Sequence, residues 1–570
     1  MQNDLTVDGQ SSKQASARSA LRRSLNGALA SAILCAAARA AADNYVVPDD
    51  FATIQAALNA ATAGDTIQVR QQPTPYFEKV QFPSSGNASS GSITLQAFPG
   101  DSPVIDGTGV SGGNMVLIQN RSYVKLIGFE IRNNLNVNDG SGVRILGSGS
   151  NIEIRDNRIH DIRGSHAMGI TVYGTAANPI SSLVIDGNEI YDCEPFQSEA
   201  LTLNGNVTDF EVTNNIVRDV NNIGIDFIGG ETDIQPDPTK VARNGVCRGN
   251  QVFRAREQGG GYAGCIYVDG GKDIVIENNV ASGCDLGIEV GAENSGIITS
   301  GIIVRDNLVY ANEKVGIVFG GFKASVGRVK NSQFLNNTLY RNDTLGEGVG
   351  ELWIQFAEDN QVRNNIFYST SQNVLVYSEN GNVNNTLDYN VFFTDGGAAN
   401  AEFVWQNASY VGFAAYRAGS GQDAHSAFAN PLFADAPNAN FHIAATSPAV
   451  NQGDPSFVPG AGEVDVDGMP RVNGPRVDVG ADEVGNCGDG SVNAGEQCDD
   501  GASNGSGSSC CAANCLFKPN GNASCDGNAC TQPDVCSDGV CTAGSCATGA
   551  ACTICGGTCV GTDGSCECQF

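Results

Sequence analysis

The sequence predicts an all-β chain folded as a parallel β-helix, a solenoid in which short strands stack turn upon turn. Two interleaved repeats predict this fold: an asparagine that recurs at the spacing of one solenoid turn, and a short strand pattern that accompanies it. The third observation is that helical periodicity is almost absent between the repeats. We expect residues 43–400 to form the β-helix and residues 401–484 to form its C-terminal end.

The first repeat is an asparagine frame that runs through the middle of the chain. Intervals of 25 to 35 residues separate its members, which is the length of a solenoid coil. The asparagines are Asn157, Asn188, Asn215, Asn250, Asn279, Asn307, Asn337, Asn365 and Asn390. Asparagine tolerates the left-handed backbone of a corner, and its amide can pair with the asparagine one coil above. We therefore predict that this column is structural and forms an internal ladder.

The second repeat has the form Gly-Ile-x-Val and alternates apolar residues with others, which predicts a strand. Clear examples lie at 142–145, 169–172, 224–227, 265–268 and 287–290. The Ile and Val side chains should point into the coil, so the x residues should point outward to solvent and stack every ~4.8 Å. Each outward column is a candidate floor for a binding groove.

One amphipathic helix is predicted, between Asp50 and Leu58. Asp50 is its expected N-cap, and Ile54, Ala57 and Leu58 share one face. We expect this capping helix to cover the first coil, whose strand edges are otherwise unpaired.

The first 42 residues have the order of a secretory signal. Arg18, Arg22 and Arg23 precede an apolar stretch, which small residues follow. We predict a signal peptide over residues 1–42, and a secreted or cell-surface protein. No later apolar run approaches the ~18 residues of a membrane helix, so no transmembrane segment is expected. The formal net charge of −30 excludes ordinary nucleic-acid binding, which needs cations against phosphates.

The cysteines are concentrated at the C-terminus, where 15 of the 20 lie between Cys487 and Cys568. This density predicts a small disulfide-rich module over residues 485–570, made in an oxidising compartment. Its Glu-Gln-Cys-Asp-Asp-Gly segment resembles a repeat found at the C-termini of many secreted bacterial proteins. Asp499 and Asp500 could hold Ca²⁺, but a disulfide knot with turn residues is the favoured interpretation. Anchoring, display and protease resistance all remain open as its role.

Several segments outside this module carry a resemblance to a known family. Residues 47–51, 63–67, 447–453 and 478–483, together with the coil frames, resemble the secreted right-handed β-helix proteins of the pectate-lyase-like superfamily. The resemblance covers residues 43 to 484. It implies a right-handed β-helix and an extracellular polysaccharide-active protein whose substrate groove follows the first parallel sheet. Such a fold hosts many activities, so the chemistry has to come from the site.

Three consecutive coils carry acids on the outward columns, with tyrosines beside them. The candidate catalytic residues are Asp226, Asp269, Glu289 and Lys272, and the candidate substrate-binding residues are Tyr173, Tyr267, Arg144 and His166. Extra chain at 229–245 and 255–261 lengthens the coil that bears Asp226, and insertions in a solenoid favour a functional face. The alternative is that carboxylates on so acidic a protein are merely solvated.

A lyase or epimerase is the first chemistry that these residues suggest. Ca²⁺ held by carboxylate and amide oxygens would bind a uronate carboxylate and acidify the proton beside it. The candidate ligands are Glu199, Asn204, Asp226 and Asp269. The β-helix pectate lyases of the resembling group carry a Lys base at the position of Asn204 and an Asp at that of Asp226, so here the base is missing. The candidate substitutes are Lys272, Lys314, His160 and His166.

Two other functions remain open. An inverting glycoside hydrolase would use Asp226 and Asp269, which strand geometry places roughly 8 Å apart, within the range of about 6.5 to 9.5 Å that inversion requires. A non-catalytic surface or adhesion protein would use the β-helix as a rigid stalk. We expect a monomer that acts on or binds a polysaccharide, with Ca²⁺ as cofactor under the first choice.

Overall fold

The computed structural model describes residues 42–444, 446–485, 490, 492, 497–506, 509–512, 517–518, 521–523, 531–532, 534–537, 540–542, 545–546, 558–560 and 567–569. The predicted signal peptide therefore lies outside the described residues, apart from Ala42, as does much of the predicted cysteine-rich module. No helix in the described part of the chain is long and apolar enough to cross a membrane.

Most regular structure in the described residues is strand. The strands up to residue 228 are β1 Asn44–Val47, β2 Thr66–Val69, β3 Val80–Gln81, β4 Ile93–Ala97, β5 Val104–Asp106, β6 Asn114–Gln119, β7 Val124–Ile127, β8 Glu130–Leu146, β9 Gly149–Arg155, β10 Arg158–Gly174, β11 Ile180–Asp186, β12 Glu189–Tyr191, β13 Leu201–Gly205, β14 Val207–Thr213, β15 Ile216–Val220 and β16 Ile225–Ile228.

The strands that follow, up to residue 443, are β17 Arg243–Arg248, β18 Gln251–Ala255, β19 Gly264–Asp269, β20 Lys272–Glu277, β21 Val280–Ser282, β22 Leu286–Gly291, β23 Ile298–Ser300, β24 Ile303–Arg305, β25 Leu308–Tyr310, β26 Val315–Gly320, β27 Arg328–Lys330, β28 Gln333–Leu335, β29 Thr338–Tyr340, β30 Leu352–Ile354, β31 Ala357–Glu358, β32 Gln361–Arg363, β33 Ile366–Ser369, β34 Val374–Ser378, β35 Thr386–Asp388, β36 Val391–Thr394, β37 Glu402–Trp405, β38 Ala408–Val411, β39 Ala427–Phe428, β40 Phe433–Asp435 and β41 Asn440–Ile443.

The C-terminal module contributes β42 Gly521–Ala523, β43 Thr531–Gln532, β44 Asp534–Ser537, β45 Val540–Thr542, β46 Ser545–Cys546, β47 Thr558–Val560 and β48 Glu567–Gln569. The helices are α1 Ile54–Ala60 and α2 Phe413–Ser420, with short 3₁₀ turns at Ala436–Asn438 and Gly501–Ser503.

The strands stack in parallel ladders to form a right-handed β-helix of about 12 turns, which confirms the predicted fold class. Face A is a 16-stranded sheet whose main path runs β1, β2, β4, β7, β9, β11, β14, β17, β20, β24, β28, β32 and β35. Face B contains β6, the second half of β8 and of β10, and then β13, β16, β19, β22, β26, β30 and β34. Face C contains β12, β15, β18, β21, β25, β29, β33 and β36.

Apolar side chains from all three faces fill the inside of each turn. Aromatic rings also stack inside the core, as in Phe319 of face B on Phe334 of face A, whose ring centroids are 4.2 Å apart, and Phe367 on Phe392 of the next turn, at 5.2 Å. The Ile and Val side chains of the Gly-Ile-x-Val frame point into this core, as predicted; Ile225, for example, is fully buried.

The asparagine column forms the predicted internal ladder. From Asn188 onward, each side-chain oxygen accepts hydrogen bonds from the backbone N–H and the side-chain Nδ2 of the asparagine one turn earlier, as Asn188 does from Asn157 at 3.0 and 2.9 Å. The oxygen of Asn157, the first of the column, accepts from the N–H of Phe129 at 3.0 Å. The ladder ends at Asn390, whose Nδ2 donates to Asp423 at 3.0 Å. The ladder satisfies polar groups that are buried at every corner.

The structure corrects one detail of that prediction. The left-handed residue at each corner is the one before the ladder asparagine, not the ladder asparagine itself. These residues are Asp156, Gly187, Asn214, Gly249, Asn278, Asp306, Asn336, Asn364 and Tyr389, with φ between 52° and 68°. The role of the ladder asparagine is therefore the hydrogen bonding of its side-chain amide, and not the left-handed backbone conformation of the corner.

The capping helix α1 forms with the predicted apolar face of Ile54, Ala57 and Leu58 buried. Its N-cap is Thr53 and not Asp50, because the Thr53 hydroxyl accepts a hydrogen bond from the N–H of Ala56 at 3.1 Å. The Asp50 carboxylate instead accepts from the N–H of Val46 at 2.7 Å, and so fixes the turn before the helix.

Parallel pairing continues past residue 400, since β37 pairs with β34 and β39 pairs with β36. Helix α2 packs beyond these strands, and its Tyr416 stacks on Phe403 with ring centroids 4.1 Å apart. The fully buried Arg471 then pairs with Asp306 of an earlier turn at 3.1 Å. The segment up to residue 484 is thus packed against the β-helix.

Three disulfides join two described cysteines each. Cys498–Cys511 and Cys510–Cys536 lie in the C-terminal module, and Cys265–Cys284 ties two neighbouring turns of the β-helix. The first two agree with the predicted disulfide-rich module.

Candidate functional site

The outward column that sequence reasoning selected exists on face B with the predicted register. Successive turns align Arg144, Thr171, Thr202, Asp226, Tyr267, Glu289, Val318 and Trp353. Asp269 lies two residues after Tyr267 and pairs with Gly291 of the next turn. The predicted candidates Asp226, Asp269 and Glu289 therefore do lie on three consecutive turns.

The predicted exposure of this column to solvent is wrong. Asp226 is only 2% exposed, Tyr267 2% and Asp269 6%. The insertion at 229–245 lies close to neighbouring turns of face B, because Glu231 accepts a hydrogen bond from Asn204 Nδ2 at 2.6 Å and Gln235 donates to the Gly174 carbonyl at 3.0 Å. An insertion expected to form a groove wall thus helps to cover the groove floor.

Four carboxylates gather under this cover, and we call Glu199, Asp226, Glu231 and Asp269 the acid cluster. Burial, followed by the charges of Glu199 and Asp269, raises the pKa of Asp226 well above its usual value. Burial and Glu231 likewise raise the pKa of Glu199. The pKa of Asp269 rises to about 7, chiefly through burial. Among the described residues, no Lys, Arg or His forms an ion pair with these four side chains.

A buried polar atom beside the acid cluster has no hydrogen-bond partner in the described structure. The side-chain oxygen of Asn204 accepts no hydrogen bond, although Asn204 is only 2% exposed. Buried acceptors are rarely left unpaired, so this oxygen marks a place for a group that carries a positive charge or a donor. Together with the carboxylates, it forms the oxygen-rich donor set that Ca²⁺ prefers. The predicted ligands Glu199, Asn204, Asp226 and Asp269 lie near one another with Glu231, but among the described residues these carboxylates do not form a group of three whose ligand oxygens lie within 4.8 Å of one another.

Beside the acid cluster lies a cleft of about 550 Å³, which we call the aromatic cleft. Its walls carry the rings of Tyr262, Tyr267, Phe322 and Trp353, and the polar groups of Glu289, Glu293, Gln355 and Glu379. The cleft adjoins the acid cluster at Glu293, whose N–H donates to Asp269 at 2.7 Å. The Tyr267 hydroxyl donates a hydrogen bond of 3.2 Å to the side-chain carboxylate of the same Glu293.

The predicted substrate-binding residues take different positions. Tyr267 lines the aromatic cleft. The Arg144 guanidinium is bound to Asp139 at 2.5 Å and lies 5.4 Å from the ring centroid of Tyr173. Tyr173 pairs with Asn204 on the next turn, so both border the acid cluster on its N-terminal side.

The candidate bases are separated by the fold. Lys272 begins β20 on face A, where it pairs with Arg243 and Ser300, so the structure does not bring it to the acids of face B. His160 lies on face C and stacks on Tyr191 with ring centroids 4.6 Å apart. Neither side chain is placed to serve the acid cluster.

Two other candidates lie closer. Lys314 Nζ lies 3.8 Å from the ring centroid of Tyr262 in the aromatic cleft, but it is also 3.4 Å from Glu347. His166 Nδ1 shares a hydrogen bond of 2.9 Å with the hydroxyl of Ser198, the residue before Glu199. His166 thus contacts the residue that precedes Glu199 in the chain, and among the described residues it forms no ion pair.

Sequence reasoning missed Glu231, Glu293, Phe322 and Glu379. Glu231 was within reach of the sequence argument, because it lies in the insertion already assigned to the functional face. The other three lie on connections after β22, β26 and β34, whose paths no repeat pattern specifies.

Among the described residues, the group whose possible metal-ligand atoms lie within 4.8 Å of one another is His442, Asp467 and Asp482, far along the chain from the acid cluster. The hydrogen bond that His442 donates to the Asp482 carboxylate raises the pKa of His442 to about 9, which favours an ion pair of imidazolium with carboxylates.

Comparisons with known proteins agree with this architecture. A family model described as "Right handed beta helix region" matches residues 101–236 and 247–419. The protein YwoF of Bacillus subtilis (strain 168), described as uncharacterized, is 33% identical over 418 residues, which cover 70% of this chain and 88% of that protein.

Solved structures also match. Pectate lyase Pel9A is 15% identical, with a TM-score of 0.44, over 78% of this chain and 97% of its own. The GH136 lacto-N-biosidase from Eubacterium ramulus is 12% identical, with a TM-score of 0.45, over 61% and 68%. The alginate lyase from Paenibacillus sp. str. FPU-7 is 19% identical, with a TM-score of 0.36, over 56% and 93%. By its match to the family model, the chain belongs to the right-handed β-helix family.

Proposed function

We propose that the chain is a secreted, Ca²⁺-dependent enzyme of the lyase or epimerase type that acts on an acidic polysaccharide at the acid cluster. The observation that carries this proposal is the unpartnered oxygen of Asn204 among four carboxylates that no basic side chain of the described structure neutralises. Carboxylates so close together repel one another in a medium of low dielectric constant unless a cation or a proton is shared among them.

Each residue has a distinct part in this proposal. Glu199, Asn204, Asp226, Glu231 and Asp269 would hold the ion. Bound Ca²⁺ supplies a positive charge that attracts a uronate carboxylate and stabilises the negative charge left when the neighbouring proton is removed.

His166 is the candidate base, because its imidazole hydrogen-bonds to the hydroxyl of Ser198, the residue before Glu199, and is not held in an ion pair among the described residues. Lys314 is less suited, since its ammonium group is 3.4 Å from Glu347 and donates to the Gly260 carbonyl at 3.0 Å.

A glycoside hydrolase is the second candidate, and one observation favours it. Burial raises the pKa of Asp269 to about 7, the range of a general acid at neutral pH. Glu289 lies one turn and two residues away from Asp269 and lines the aromatic cleft, so strand geometry separates their Cα atoms by about 8 Å. That spacing fits inversion.

The test compares both chemistries in one assay. The purified protein is incubated with polygalacturonate, alginate and xylan, in Ca²⁺ or in chelator, and the absorbance of the unsaturated product is followed together with reducing ends. Unsaturated product that disappears in chelator supports the lyase. Reducing ends alone, unaffected by chelator, overturn it in favour of the hydrolase, and no turnover on any glycan favours a binding protein.

Variants locate the activity. Asp226→Asn should abolish turnover and weaken Ca²⁺ binding measured by calorimetry, because it removes one of the proposed ligands. Asp233→Asn is the matched control, since Asp233 is an exposed acid of the same insertion. His166→Ala should lower kcat and leave Ca²⁺ binding unchanged, whereas equal losses in both measurements would contradict its role as base.

A further inference from the structure

We infer that the aromatic cleft binds an uncharged sugar ring, so that the glycan bound to this protein carries a neutral sugar near its acidic one. The part of this inference that concerns the acidic sugar rests on the proposed function. The part that concerns the cleft rests on its own rings and charges.

Two rings of the cleft, those of Tyr262 and Phe322, are open to a ligand. Tyr262 is 53% exposed and Phe322 is 54% exposed, which is high for large apolar side chains that lie side by side in a cleft. Trp353 is held in place by a hydrogen bond of 3.0 Å from its Nε1 to Glu379. A fixed indole beside exposed rings offers flat apolar surfaces, which suit the C–H face of a pyranose ring.

The charge of the cleft selects against an acidic sugar. Three carboxylates line it, from Glu289, Glu293 and Glu379, and no basic side chain is among its lining in the described part of the chain, although the Lys323 ammonium group lies 4.8 Å from the ring centroid of Phe322. The ammonium group of Lys314 approaches Tyr262, but it already contacts Glu347 and the Gly260 carbonyl. The negative field would repel a uronate, whereas carboxylates are strong acceptors for the hydroxyl groups of a neutral sugar.

The far end of the cleft, at Trp353, is separated from the acid cluster. Trp353 stands two turns beyond Glu289 and four turns beyond Asp226 on the same column. At ~4.8 Å per turn, Asp226 and Trp353 are about 19 Å apart, more than a single sugar ring spans. One glycan lying along face B would therefore place different residues at the two sites.

The test measures binding without the cation, so that it does not depend on the proposed function. Full-length protein in chelator is titrated by calorimetry with xylohexaose, mannohexaose and hexagalacturonate. We expect at least one neutral oligosaccharide to bind and hexagalacturonate not to bind. Equal affinity for hexagalacturonate, or no binding of either neutral probe, would overturn the inference, whether or not the protein proves to be a lyase.

Variants assign the binding to the cleft. Trp353→Ala should weaken neutral binding about tenfold or more, as expected for loss of an aromatic anchor, and Phe322→Ala provides a second, more exposed position with less risk to folding. Tyr191→Ala is the control, because Tyr191 is an aromatic residue of face C, away from the cleft. If both cleft variants kept affinities within about twofold of the parent, the sugar would bind elsewhere and the inference would fail.

Discussion

Removing one amide from the middle of the asparagine ladder should strongly destabilise the β-helix. Asn250 accepts hydrogen bonds from the N–H and Nδ2 of Asn215 at 2.9 and 3.0 Å, and its Nδ2 donates to the Val212 carbonyl at 2.9 Å. In Asn250→Ala the N–H of Asn215 and the carbonyl of Val212 lose these partners in a dry interior. The side-chain oxygen of Asn279 keeps one hydrogen-bond donor, because the backbone N–H of residue 250 still donates to it.

The magnitude follows from the two orphaned groups. Each buried, unsatisfied backbone group costs about 1–3 kcal/mol, so Asn250→Ala should lower the free energy of unfolding by about 4 kcal/mol. Asn400→Ala is the control, since Asn400 is exposed and donates only to a nearby loop carbonyl; its effect should stay within about 0.5 kcal/mol. Urea unfolding followed by far-ultraviolet circular dichroism measures both. A loss below about 1 kcal/mol in Asn250→Ala would refute the ladder as a source of stability.

Three further predictions concern other parts of the chain. Truncation after Glu483 should leave a soluble, folded β-helix by circular dichroism, because each turn contacts mainly its neighbours; an insoluble product would show that the C-terminal module is required. Glu231→Gln should reduce the rise in Tm that Ca²⁺ produces, measured by scanning calorimetry, while Asp233→Asn should keep it. Burial raises the pKa of Asp423 to about 6. The contribution of its protonated carboxyl group to the free energy of unfolding is therefore present below about pH 4 and is lost as the pH rises through 6. Asp423→Asn should therefore be more stable than the parent at pH 7, by at most about 3 kcal/mol, and no more stable at pH 3.5; a destabilised variant at pH 7 would contradict this sign.

The turn-to-turn register could be predicted from sequence because a β-helix repeats its strand geometry. Once Ile225 and Ile266 are assigned to the inside, alternation fixes Asp226 and Tyr267 on the outside, and the parallel pairing stacks them. Alternation does not predict how exposed these outward side chains are to solvent. Burial of Asp226 depends on the path of an irregular insertion, and no periodic pattern predicts that path.

Lys272 shows a second limit of reasoning from neighbours in sequence. It follows Asp269 by only three residues, yet Gly270, with φ at 81°, turns the chain from face B to face A between them. In a solenoid the nearest residues in space are those one turn away, about 30 positions along the chain, and not those just past a corner. A base for the acid cluster has to come from an adjoining turn or from an insertion that folds over it. His166 meets that condition, because it contacts Ser198 from the preceding turn, 32 residues away. Loss of kcat in His166→Ala beside normal turnover in Lys272→Ala would establish that turn-to-turn distance, and not distance along the chain, assembles this site.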